Sequence, residues 1–266
     1  MKIAVLGDVH LIADGDPYKA LHERRAFFKS AWPSFQRLLV EVNRESPDLV
    51  ILLGDLVDWF SPENITFGLD LLSGLECPWH MTPGNHDLAV PSGGPDLEIY
   101  QTEARRDHLA YWAEQGVDMA NRTLDTAGFR SILLDSALSN LAAGADDFLQ
   151  SMSRSDVPNL LFTHVPVDTG ITRDYILSVD AGRSMVKYVI SAEPDLYGEH
   201  IENRIAHIFS GHLHFFGDIQ LANTRFHLCT MSITMDDPHR SYGTVATAKI
   251  VEYGQGAFTF RELVVQ

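Results

Sequence analysis

Short apolar runs recur along the chain at residues 3–9, 49–53, 78–82, 132–134, 160–163 and 205–209, and most of them end in a turn carrying polar residues. Their length and flanking Gly, Pro, Asp and Asn residues predict buried strands rather than helix segments. Between them the period changes. Phe35, Leu38, Leu39 and Val42 fall at i, i+3, i+4 and i+7, one face of an amphipathic helix that needs a sheet as partner. Ser61-Pro62-Glu63 predicts a helix start, with Ser61 as N-cap and Pro62 in the first turn, and Ile65, Leu69 and Leu72 then share a face. Strands alternating with helices in this way predict parallel crossover units. After His214 the pattern turns to strands alone, at 217–221, 225–232, 244–252 and 257–265, with Tyr253-Gly254-Gln255-Gly256 as a hairpin turn. The expected fold is an α/β sandwich whose C-terminal portion is antiparallel.

Residues 11–31, 88–128 and 168–203 fit this scheme poorly. They carry many charges and the aromatics Tyr100, Tyr111, Trp112 and Tyr175, and are expected to form helical surface around a site, those near 88–128 and 168–203 as insertions. No repeat, low-complexity tract or linker interrupts the chain, so one domain over residues 1–266 is expected.

Bulk composition narrows the function. With 266 residues and 45% apolar content the chain can bury a sizeable core. Its net charge of −16 argues against a general nucleic-acid binder, which would need Lys and Arg in excess. An acidic protein that takes an anionic substrate must supply positive potential locally, and bound cations are the obvious source. Cys77 and Cys229 are too far apart for a disulfide framework or a zinc knuckle and read as small buried side chains. The first apolar run reaches Gly7-Asp8 too soon for a secretory signal, and no apolar stretch approaches the roughly 18 residues of a spanning helix. A soluble, cytoplasmic protein is expected, able to form a homo-oligomer and with no membrane or general nucleic-acid partner.

The chemistry lies in five segments: Gly7-Asp8-Val9-His10, Gly54-Asp55-Leu56-Val57-Asp58, Gly84-Asn85-His86-Asp87, Thr163-His164 and Gly211-His212-Leu213-His214. Singly, each is an ordinary turn. Together they place oxygen and imidazole donors on successive strand ends, the edge where sites gather in open α/β sheets. If these segments are extended, Asp8 and His10 project to one side, as do His212 and His214, so each pair can hold one ion. Glycine before Asp8, Asp55, Asn85 and His212 lets backbones converge. Carboxylate, amide oxygen and imidazole without thiolate suit manganese, iron or zinc. Two divalent ions roughly 3.5–4 Å apart would clamp an in-line displacement at phosphorus. Asp55 is the expected bridge, with Asp8, His10 and one distal His on the first ion, and Asn85, His164 and the other distal His on the second. A hydroxide bridging the ions is the expected nucleophile. His86 would face away from the ion of Asn85 and reach the leaving oxygen as general acid or hold a phosphoryl oxygen, while Asp58 and Asp87 support the ligands from behind.

This pattern resembles the calcineurin-like metallophosphoesterase superfamily, whose Asp-x-His, Gly-Asp-x-x-Asp, Gly-Asn-His-Asp/Glu, lone His and Gly-His-x-His are all matched between residues 7 and 214. The resemblance implies a four-layer α-β-β-α sandwich with mixed sheets. It also implies that Asp8, His10, Asp55 and His214 bind one metal, that Asp55, Asn85, His164 and His212 bind the other, and that His86 stands beside the leaving group. The size and the closing Gly-His-x-His are similar to small bacterial cyclic-nucleotide and glycerophosphodiester phosphodiesterases. The expected activity is therefore metal-dependent hydrolysis of a small-molecule phosphate ester, a phosphodiester ahead of a phosphomonoester or a nucleotide diphosphate bridge. A catalytically silent scaffold of the same fold would lose ligand positions or the His after Asn, and here every one is present.

Overall fold

A computed structural model describes residues 1–17, 31–91, 98–99, 102–126, 128–152, 156–233 and 246–265. Residues 18–30 of the first charged stretch, Tyr100 and the start of the strand expected at 244–252 lie outside the described residues. In chain order the strands are β1 (Lys2–Leu6), β2 (Leu49–Leu52), β3 (Trp79–Met81), β4 (Val90–Pro91), β5 (Glu98–Ile99), β6 (Arg122–Asp125), β7 (Arg130–Leu134), β8 (Asn159–Thr163), β9 (His207–Ser210), β10 (Gly217–Leu221), β11 (Thr224–Leu228), β12 (Ala246–Gly254) and β13 (Ala257–Val265). The helices are α1 (Ala31–Glu45), α2 (Pro62–Leu72), α3 (Thr102–Glu114), α4 (Ala145–Ser151), α5 (Gly170–Val179) and α6 (Met185–Tyr188), followed by a π-helical turn at Tyr197–Ile201. Among the described residues no helix is long and apolar enough to cross a membrane.

The apolar runs alternate in destination residue by residue, and this builds the layers. Ile3, Val5, Leu49 and Ile51 point inward and meet Leu133, Leu160, Phe162 and Phe209, so two sheets pack face to face. Phe162 lies on Phe209 with ring centroids 4.9 Å apart. Ala4, Leu6, Val50 and Leu52 point outward onto the α1 stripe of Phe35, Leu38, Leu39 and Val42. On the far side Ile132, Leu134, Leu161 and Ile208 pack with Leu149 of α4 and Ile176 of α5. The result is the α-β-β-α sandwich.

One sheet has the order β13-β12-β1-β2-β3 and the other β10-β11-β9-β8-β7-β6. Within them β1, β2 and β3 are parallel, as are β7, β8 and β9. Ser61 caps α2 as expected, its Oγ accepting the Asn64 amide at 3.1 Å. The C-terminal strands divide in a way the pattern did not disclose. β10 and β11 extend the second sheet, with β11 parallel to β9, whereas β12 crosses back to pair antiparallel with β1. The β12–β13 turn is tighter than expected, with Gly254 paired to Ala257 and positive φ at Gln255 and Gly256 (53° and 79°), the twist-matched form for a two-residue hairpin. In the stretch 88–128, α3 lies among short strands β4, β5 and β6, so that region is not wholly helical. Three half-buried residues and the exposed Asp125 make β6 too short a run for an alternation to be read.

Where β10 and β11 meet β12 and β13, the seam is ionic. Buried Lys249 stands 3.7 Å from Asp218 and 3.1 Å from Glu262. Buried His227 lies 2.6 Å from Asp218 and, through Nε2, 3.2 Å from Nδ1 of His207. Burial, with the nearby His227 and Arg225, lowers His207 to about 4. Burial opposes charge on Asp218, but the His227 bond and the charge of Lys249 outweigh it and hold the carboxyl at about 2. The unfolded chain therefore binds these protons at higher pH than the folded one does. Stability is fully present above the unfolded His value of 6.5 and is lost as pH falls toward about 4, with Asp218 extending the loss from 3.8 toward about 2. The expected outcome is a Tm that drops as pH is lowered from 6.5 to 4, with a shallower drop in His207→Gln. An unchanged slope in that variant would assign the titration to other groups.

Candidate metal centre

The C-terminal ends of β1, β2, β3, β8 and β9 open directly into the five polar segments. Their backbone is not extended as the sequence suggested. Asp8 (φ 52°), His10 (53°), Asp55 (52°), His212 (68°) and His214 (62°) all occupy the left-handed region, which costs an L-residue roughly 1–2 kcal/mol. Such conformations persist only where neighbouring bonds over-determine them. Here the Asp8 amide donates to the Gly54 carbonyl (3.0 Å), and the Val9 and His10 amides both donate to that of Asp55 (2.7 and 2.9 Å). Gly7 exchanges two bonds with Ser232, its amide donating to Ser232 Oγ and its carbonyl accepting the Ser232 amide. The glycines serve the convergence. A Cβ on Gly84 would lie 2.1 Å from Asp55 Oδ1, and one on Gly211 would lie 2.5 Å from Asp8 Oδ2.

The structure gathers Asp8, His10, Asp55, Asn85, His86, His164, His212 and His214 in one place. Ligand-type atoms of Asp8, His10, Asp55 and His214 lie within 4.8 Å of one another, as do those of Asp55, His164 and His212, so Asp55 belongs to both groups. His164 Nε2 lies 2.9 Å from Asn85 Oδ1, 3.1 Å from His212 Nδ1 and 3.3 Å from Asp55 Oδ2. On the other side His10 Nε2 faces His214 Nε2 at 3.2 Å, and His214 Nε2 is 3.4 Å from Asp8 Oδ1. Asp8, His10, Asp55 and His164 are essentially without solvent exposure.

The outward ring atoms of His10, His164 and His212 are engaged, which fixes their tautomers. His164 Nδ1–H donates to the Leu53 carbonyl (2.7 Å) and His212 Nε2–H to that of Lys187 (2.9 Å). His10 Nδ1–H donates to Asp58 Oδ1 (3.1 Å). Each ring thus turns a lone pair inward, the arrangement that outer carbonyls and carboxylates impose on metal-ligating histidines. Asp58 also serves His86, whose Nδ1–H donates to the Asp58 carbonyl at 2.8 Å. Asp87 turns away from the centre. Its carboxylate accepts the amides of Asp55 and Gly84 (both 2.8 Å), Leu56 (3.0 Å) and Val57 (3.2 Å), and its own carbonyl accepts buried Trp112 Nε1–H (3.1 Å). The Lys187 carbonyl and Ser232 left no trace in the sequence reading, because neither belongs to a motif.

Inward lone pairs packed this closely with carboxylates fit a cation. Asp55 Oδ2 is buried and accepts no hydrogen bond from the described residues. Without a cation, protons and ring charges share the role. Burial disfavours charge on His164, yet the negative charge of Asp55, aided by that of Asp8, raises it to about 9. Burial and the neighbouring His164 lower His212 to about 3, leaving it a neutral acceptor. Burial would raise both carboxyls, but His214 and His164 keep Asp8 below its usual range, and His164 and His86 keep Asp55 well below. The donor set therefore fits two hard or borderline divalent ions sharing Asp55.

A family profile described as calcineurin-like phosphoesterase matches residues 1–216. The chain is similar to a probable cyclic nucleotide phosphodiesterase of Rhodopseudomonas palustris, 27% identical over 220 residues that span 80% of this chain and 72% of that protein. Among solved structures it is similar to a dimetal phosphatase from Danio rerio (TM-score 0.60, 12% identity, covering 100% of this chain and 98% of that one). It is also similar to the phosphopantetheinyl hydrolase of Mycobacterium tuberculosis (TM-score 0.50, 14% identity, covering 86% and 89%). At these identities the solved structures bear on the fold alone.

The close approach at Gly84 gives a direct test. Gly84→Ala must displace either the Asp55 carboxylate or its own backbone, and overpacking of this kind costs about 1–3 kcal/mol. Chemical denaturation of the metal-free variant is expected to show that loss. A midpoint equal to that of the parent would mean that the two strand ends are not pressed together.

Proposed function

The chain belongs to the calcineurin-like phosphoesterase family, and on that premise we propose that it hydrolyses a small-molecule phosphodiester at a centre of two divalent cations held by Asp8, His10, Asp55, Asn85, His164, His212 and His214. The observation that carries this reading is the shared Asp55, whose buried Oδ2 joins two groups of inward-facing imidazoles. Manganese, iron or zinc would suit these donors. When bound, such ions supply positive charge for a phosphoryl group and make a water acidic enough to attack near neutral pH.

The rest is the work of this chain's side chains. Asp87 fixes the backbone on both sides of Asp55 through four amides, so the shared carboxylate is held before any ligand arrives. Asp58 anchors His10 from outside and at the same time turns His86, whose side chain keeps 12% exposure. With Nδ1–H committed to the Asp58 carbonyl, the Nε2 edge of His86 can deliver a proton to a departing alkoxide or hold a phosphoryl oxygen. A poor leaving group needs that proton, which suits an alkyl diester. The diester preference rests further on the similarity to a probable cyclic nucleotide phosphodiesterase.

Manganese-loaded protein should cleave bis-aryl phosphodiester faster than aryl phosphomonoester, with cyclic nucleotides and glycerophosphodiesters as the next panel. A monoester or nucleotide diphosphate preference would overturn the diester assignment, and no turnover of any ester would favour a silent scaffold. Asp55→Ala is expected to abolish turnover and reduce metal content in both positions; undiminished turnover with unchanged stoichiometry would remove Asp55 from the bridging role. His86→Ala is expected to retain both ions and to slow esters with alkyl leaving groups about 100-fold or more, within the usual range for a general acid, but activated aryl esters far less. Equal slowing of both would leave His86 a positioning role.

A further inference from the structure

The loop that carries His212 and His214 is strained, since both residues are left-handed with only buried Leu213 between them. Outside the motifs, one segment grips this loop from several directions. The Arg183 guanidinium donates through Nη2 to the Leu213 carbonyl at 3.1 Å, on the Leu213–His214 peptide between the two strained residues. The same guanidinium is fixed by Asp180 (Nε to Oδ2 3.0 Å) and lies over the Tyr188 ring, 4.3 Å from its centroid. Tyr188 in turn packs against the His212 imidazole, centroids 5.1 Å apart. Next to Tyr188, the Lys187 carbonyl accepts His212 Nε2–H at 2.9 Å and also Ser139 Oγ–H at 2.7 Å. A ring held at Nε2, along one face and through its own backbone has a single orientation left, the one that aims Nδ1 at His164, Asn85 and Asp55.

From these contacts we infer that the segment from Asp180 to Tyr188 is a clamp for His212, in which Arg183 and Tyr188 act as positioning residues for the cation that His212 shares with Asp55, Asn85 and His164. The inference rests on the two-cation reading above and deepens it. Arg183 touches neither cation nor substrate in this scheme. It keeps the His212–Leu213–His214 backbone in a conformation that would otherwise relax, and it holds the aromatic face that stops the imidazole from turning. The clamp is asymmetric, because Tyr188 and the Lys187 carbonyl act on His212, while the partners of His10 lie on Asp58 across the centre.

That asymmetry supplies a test independent of turnover. Metal-free wild type, Arg183→Ala and Tyr188→Leu would each be titrated with Mn²⁺ by calorimetry, with thermal melts of the metal-free proteins alongside. Wild type is expected to take up two equivalents. Both variants are expected to bind one equivalent at least tenfold more weakly, the range for loss of an outer partner of a metal-ligating histidine, and Tyr188→Leu should change the other equivalent by less than about threefold. Two equivalents bound as tightly in Tyr188→Leu as in wild type would overturn the clamp, and so would equal weakening of both. If Arg183→Ala melts at room temperature, Tyr188→Leu decides alone, since it leaves the Leu213 bond in place. A wild type that takes up fewer than two equivalents would instead remove the two-cation reading, and the clamp with it.

Discussion

The whole arrangement answers one electrostatic difficulty: atoms that repel one another must be held together where water cannot screen them. Asp8 and Asp55 are buried carboxylates, Asn85 offers its oxygen, and the inward nitrogens of His10, His164, His212 and His214 carry lone pairs. Left to themselves these groups would turn away or take up protons, as His164 does when it rises to about 9 beside Asp55. Nothing inside the cluster can therefore hold it open. The restraint has to come from outside, from backbone conformations and from bonds made on the far side of each ring.

Those restraints form a shell as specific as the donors. Asp87 gathers the amides around Asp55, Asp58 takes the rings of His10 and His86, the Leu53 carbonyl takes His164 and the Lys187 carbonyl takes His212. Each bond to a ring fixes a tautomer as well as a direction. The shell is itself anchored to rigid elements: Leu53 follows a strand buried on both faces, and Trp112 of α3 closes over the Asp87 turn. Two sheets packed through Phe162, Phe209, Ile3 and Ile51 give the strand ends a common floor. The left-handed residues can persist because the elements on either side of them cannot move.

How much of this could be read from the sequence follows from the range of each interaction. Run length, flanking turn residues and the 3.6-residue period are local signals, so β1, β2, α1 and the Ser61 cap of α2 were legible, whereas the four layers were implied only by the family resemblance. The donors were legible because each motif packs its chemistry into a few adjacent residues. Their conformation was not: Gly7-Asp8-Val9-His10 reads as a continuing strand, yet β1 stops at Leu6 and Asp8 and His10 turn left-handed through bonds to Gly54 and Asp55. The return of β12 to pair with β1, the seam of Lys249, Asp218, His227 and His207, and the grip of Arg183 on Leu213 all join residues distant in the chain. Single-sequence reasoning has no term for such pairs.

The charge balance around the centre follows from the same shell. An anionic phosphate must approach a chain of net charge −16, and arginine is the usual way to receive it. Yet Arg105 is spent on Asp135, Arg173 on Asp168 and Arg183 on Asp180, each of them in or near the loops that follow β7, β8 and α5. These guanidiniums organise the loops and leave their charge neutralised. The donor cluster is acidic as well, through Asp8 and Asp55. Among the described residues, cations held by these carboxylates and imidazoles, as proposed above, would restore positive potential at the centre.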